Sequence, residues 1–154
     1  MRGHAILAAF RVERRSVAVA VFIGTQLEFT DVKHLSADHQ KAEASVSSFV
    51  NWILSSFVVT SAVIETFENG QELIRAQFNR TIEEHLRTNG TSLFKIGKSE
   101  LLSAFGQPAL KSRADVRHVV TTIWPVLDDK RPSGTKLDAV ALGLYVQTER
   151  LFQN

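Results

Sequence analysis

A chain of 154 residues, 44% of them hydrophobic and 22% charged, can bury a sizeable core and has the composition of a globular domain, not of a disordered or fibrous chain. It contains no cysteine, which excludes disulfides, thiolate metal sites and thiol catalysis together. The formal net charge is only +2, so affinity for nucleic acid has to come from local clustering of bases. No apolar run approaches the length of a membrane span. The short run at residues 5–10 is interrupted by Arg11, Glu13, Arg14 and Arg15, too early for an export signal, and the sequence reads as that of a cytoplasmic protein.

Residues 5–10 (AILAAF) and 17–23 (VAVAVFI) are apolar runs separated by a charged tip, residues 11–16. Residues 26–32 (QLEFTDV) alternate polar and apolar after a Gly24-Thr25 turn, as a strand with one wet face does. Three strands joined by short connections predict an antiparallel meander. Ser36 and Asp38 then offer an N-cap. Behind them Ala42, Val46, Phe49, Val50, Ile53 and Leu54 fall on one helical stripe.

Residues 58–67 (VVTSAVIETF) read as a strand buried on both faces. Near its end stands Glu65, and a buried unpaired carboxylate costs several kcal/mol. It needs a cation, a metal or an opening to water. A second helix over residues 70–87 has Ile74, Phe78, Ile82 and Leu86 as a ridge, and Asn89-Gly90 stops it. Residues 91–96 form a fifth strand. Helices follow at 98–105, 113–124 and 135–152, the last with Leu137, Val140, Ala141, Leu144 and Tyr145 on its apolar face. Trp52 and Trp124 sit on helical stripes and read as core. No linker divides the chain, so residues 1–154 read as one domain. The fold class is α/β, a mixed five-stranded sheet flanked by helices.

Three segments point further. Ala62-Val63-Ile64-Glu65-Thr66-Phe67 closes a buried strand with an Ile-Glu pair followed by an aromatic residue. Residues 101–120 place Gly106 after one helix and Arg113 three residues before Val116 in the next. Asp138-Ala139-Val140-Ala141-Leu142 opens the last helix with an acid before small and aliphatic residues. In this order the chain resembles the RuvC-like Holliday-junction resolvase branch of the ribonuclease H-like superfamily, and the resemblance covers nearly its whole length.

The resemblance implies metal-assisted phosphodiester hydrolysis, in which two Mg (or Mn) ions clamp the attacking and leaving oxygens. Such ions take oxygen ligands in strict octahedral geometry. The family supplies one carboxylate from its first strand, one from its fourth and two from its last helix. Glu65 matches the fourth-strand ligand and Asp138 one last-helix ligand. The first-strand position falls at Phe10, or at Arg11 if the alignment slips by one, and the second helix position falls at Thr135. Two of four ligands are therefore missing, and an aromatic ring at Phe10 would fill the metal's place. Glu13, three residues past Phe10, points to the opposite face of a regular strand. Asp128 and Asp129 lie in a polar loop.

Between Lys95 and Lys136 eight basic residues face four acidic ones, as on a phosphate-tracking surface. Lys98, Lys111, Arg113 and Arg117, with Arg14 and Arg15 at the tip that also holds Arg11, are the expected nucleic-acid contacts. The resemblance also implies branched or duplex DNA as partner and a homodimer. Three readings stay open: a catalytically impaired pseudo-nuclease that binds or scaffolds, an active endonuclease with relocated ligands, and a protein-interaction module that retains only the fold.

Overall fold

The computed structural model describes residues 5–67, 73–104, 113–124 and 134–147. The expectations placed on Gly106, Lys111, Asp128 and Asp129, and on the last helix beyond residue 147, lie outside the described residues.

Strand β1 (Ile6–Val12) pairs antiparallel with β2 (Ser16–Ile23), and β2 pairs with β3 (Gln26–His34). The turn between β2 and β3 uses Gly24 at φ +59, a left-handed conformation that glycine adopts without penalty. Helix α1 (His39–Phe57) starts at Asp38, whose side chain accepts from the Lys41 backbone N–H at 3.0 Å. Its buried residues are the six of the predicted stripe. The chain leaves α1 through Val58 at φ 49, so the expected strand over 58–67 shortens to β4 (Ser61–Glu65). Helix α2 (Leu73–Asn89) ends at Gly90, φ +76. Then follow β5 (Ser92–Ile96), α3 (Lys98–Ala104), α4 (Arg113–Ile123) and α5 (Gly134–Val146).

The sheet order is β3-β2-β1-β4-β5, with β4 parallel to β1 and β5 parallel to β4. This is the mixed five-stranded sheet expected from the sequence. It has a core on each face. One side gathers Ala8, Phe10, Val12, Ala62 and Ile64 under α1 and α2. The other gathers Leu7, Ala9, Ala18, Ala20, Phe22 and Val63 under α3, α4 and α5. Period-two alternation thus assigns the apolar residues of β1 to one core or the other.

Helix α5 lies across β1 and β2, buried nearly all round. Gly143 permits that approach, because a Cβ there would stand 2.0 Å from the Phe22 ring. Trp124 meets the same ring edge-on at 6.0 Å and belongs to this core. Trp52 does not meet its expectation: it is 49% exposed and meets Phe29 and Phe57 in T-shaped contacts, because it lies off the buried stripe of α1. Among the described residues no helix is long and apolar enough to cross a membrane.

Candidate functional site

Among the described residues, the buried charged side chains are Arg11, Glu65 and Asp138, each at most 2% exposed. Three such groups survive in a core only if they find one another. They do. The β1–β4 register sets Phe10 beside Ile64, which brings Arg11 level with Glu65 on the face covered by α5. Asp138 enters from the first turns of α5.

The Arg11 guanidinium sits among the acids. Its Nη1 lies 3.4 Å from Glu65 Oε2 and donates to the Val12 carbonyl at 3.1 Å. Its Nη2 meets Glu13 Oε1 at 2.9 Å, and its Nε lies 3.7 Å from Asp138 Oδ2. Arg117, on α4, holds both oxygens of Asp138, through Nε and Nη2 at 3.0 Å each. Arg75, on α2, reaches Glu13 Oε2 at 3.3 Å. The Phe67 ring lies against both guanidiniums, its centroid 5.1 Å from that of Arg11 and 4.8 Å from that of Arg75. These are cation–π distances. Asn79 donates from Nδ2 to the Glu65 carbonyl at 2.8 Å, tying the end of β4 to α2.

Three sequence-based placements change as a result. Phe10 does not fill the site: it is wholly buried in the opposite core with Ala8 and Val12, one residue out of phase. Arg11, not Phe10, shares the face of Glu65 and Asp138, and it is a buried residue of β1 instead of part of the charged tip. Glu13, counted from Arg11, has the even offset that keeps it on the site's face. Thr135 packs near Ser16, their hydroxyl oxygens 3.5 Å apart. The signal for Arg11 was its setting, a lone cation near the end of ILAAFRV, mirroring the lone acid near the end of SAVIE.

The residues present do not fit a divalent metal. Magnesium requires converging oxygens around an open position, and here a guanidinium that stays protonated in proteins lies between Glu65 and Asp138. Asp138 spends both oxygens on Arg117. Among the described residues, these ion pairs set Arg11, Arg75 and Arg117 against Glu13, Glu65 and Asp138.

The expected phosphate contacts divide. Arg14, Arg15 and Lys98 are exposed, following β1 and β5 and so at the same end of the parallel strands as Glu65. Arg117 is half-buried and engaged with Asp138. Arg113 opens α4.

This architecture is the ribonuclease H-like fold. RuvC of Thermus thermophilus in complex with a Holliday junction substrate is similar with a TM-score of 0.77 at 14% identity, over 97% of each chain. The yeast mitochondrial Holliday junction resolvase Ydc2 gives 0.65 at 8% identity over 94% of this chain and 80% of its own. The fowlpox virus resolvase with its junction gives 0.63 at 14% identity over 96% and 99%. No protein-family model and no curated protein matches the sequence. The likeness is one of fold, and the chemistry rests on this chain's own residues.

Proposed function

We propose that this chain is a single RuvC-like domain that binds branched or duplex DNA without cutting it. The observation that supports the loss of hydrolysis is Arg11, buried between Glu65 and Asp138. Two-metal hydrolysis needs carboxylate oxygens free to hold ions against a phosphate, and a fixed guanidinium competes for those oxygens. Binding is supported by the exposed bases Arg14, Arg15 and Lys98 around the rim, and by a fold shared with proteins solved on Holliday junctions. The resemblance also implies a homodimer. Sedimentation at rising concentration tests it.

The test incubates purified protein with a four-way junction and a duplex, in magnesium and then manganese, and titrates binding with salt. No cleavage is expected, with affinity that falls steeply as counterion release weakens. Cleavage that disappears in Glu65→Ala would restore the active-nuclease reading. Absence of binding to any nucleic acid at low salt would leave the protein-interaction module.

A further inference from the structure

We propose that the pocket between the β1–β2 turn and the first turns of α1 and α2 takes one unpaired nucleotide, its phosphate on Arg14 and Arg15 and its base against His39. This rests on the reading of the chain as a DNA-binding domain, and adds the form of DNA that it prefers.

The pocket has a volume of about 250 Å³, and its walls come from separate elements. Arg14 and Arg15 belong to the β1–β2 turn, His39 and Ala42 to α1, Ile74 and Phe78 to α2. The Leu35 N–H donates to the Arg15 carbonyl at 2.8 Å, which keeps both arginines beside the start of α1. Both are exposed, and neither side chain pairs with a carboxylate among the described residues. The neighbouring acids are engaged elsewhere. Glu13 meets Arg11 and Arg75, and Asp38 Oδ1 accepts from the Lys41 N–H at 3.0 Å.

The rest of the wall is apolar or aromatic. Ala42 and Phe78 are buried, and Ile74 is an exposed aliphatic side chain. The exposed His39 ring lies nearly parallel to Phe78, at 21° with centroids 6.1 Å apart. Inorganic phosphate would use only the arginines, and a purely apolar ligand only the wall. A nucleotide uses both. Any base can stack on an aromatic face, and guanidiniums take phosphate oxygens in pairs. A base inside a duplex is already stacked and paired, so the pocket selects an unpaired one. Its volume lies below the roughly 300–1,000 Å³ of sites for drug-sized ligands, which limits it to a single nucleotide.

The experiment is fluorescence anisotropy of the full chain with three labelled probes. They are a plain duplex, the same duplex with one extra unpaired thymidine, and that bulge with its base removed. Wild type should bind the thymidine bulge about fivefold or more tighter than the plain duplex, and the abasic bulge no tighter than the plain duplex. His39→Ala should bring the ratio of bulge to duplex affinity to one, and His39→Tyr, which keeps an aromatic face, should retain the preference. Arg14→Glu/Arg15→Glu should weaken all three probes. Equal wild-type affinity for the three probes would overturn the proposal and leave DNA binding standing, whereas no affinity for any of them would overturn both. A preference shared by the abasic bulge, or one that survives His39→Ala, would also overturn it. Thymidine monophosphate is the last arm. If it raises the melting temperature of the wild type but not of His39→Ala, with no bulge preference, the ligand is a free nucleotide and the strand as its source is overturned.

Discussion

At Arg11 the cost of burying charge and the gain from pairing it are both large, and the balance is set by geometry. Ion pairs at 3.4 and 2.9 Å, with a carbonyl at 3.1 Å and an aromatic face at 5.1 Å, keep the guanidinium solvated by protein. Breaking a buried pair strands its partner, at about 3–5 kcal/mol, whereas replacing both members by apolar groups is often near neutral. Arg11→Ala should therefore lose about 3–5 kcal/mol in urea denaturation. Arg11→Met/Glu65→Met should lose less than Arg11→Ala, since Asp138 keeps Arg117 and Glu13 keeps Arg75. Equal losses would mean that the pair contributes packing alone. A second residue holds an unfavourable backbone. Val58 ends α1 at φ 49 while 74% exposed, and the left-handed region costs a residue with a Cβ about 1–2 kcal/mol. Val58→Gly sacrifices almost no burial there and should raise the urea midpoint, worth about 1 kcal/mol. A lower midpoint would show that the Val58 side chain contributes packing that its exposure hides.

Strand β1 explains both what the sequence made legible and what it hid. Helices with one wet face announce themselves: the six buried residues of α1 are those of its predicted stripe, because only one periodicity separates its two sides. Glu65 stood out by the same logic, as a charge in an apolar strand. β1 is buried on both faces from Leu7 onward, so no alternation tells which residues face which core. A slip of one residue flips the whole strand, and that slip decides whether Phe10 or Arg11 shares the face of Glu65. Only the pairing partner fixes it, and register with β4 is long-range information. The close seating of α5 on β2 was hidden for a related reason, since Gly143 sits in an unremarkable small-residue helix and its partner Phe22 is far away in sequence. Gly143→Ala should push that helix off the sheet and cost about 1–3 kcal/mol, read as a lower midpoint. Combining it with Phe22→Leu should recover part of the loss, because the two share one contact. Full additivity would place the clash elsewhere than the Phe22 ring.

Over the whole molecule the charges separate into two populations with different work. Glu65 and Asp138 are buried and paired with arginines, so their field outside the protein is weakened. The exposed bases Arg14, Arg15 and Lys98 stand around the same end of the parallel strands. DNA affinity should follow the second population and ignore the first. Phosphate contacts carry no base information, so Arg14→Glu/Arg15→Glu should weaken binding to junction and duplex of any sequence alike. Each lost phosphate contact should also flatten the plot of log affinity against log salt by about one, giving a change of about two for that double variant. Glu65→Gln removes a charge that water does not reach and should leave both affinity and slope as in the wild type, provided the variant is compared below its melting point. Fluorescence anisotropy with a labelled four-way junction across a salt series measures all three. A slope that moves with Glu65→Gln and not with the arginine reversals would put the DNA over the buried centre, and the rim would then be ordinary solvated surface.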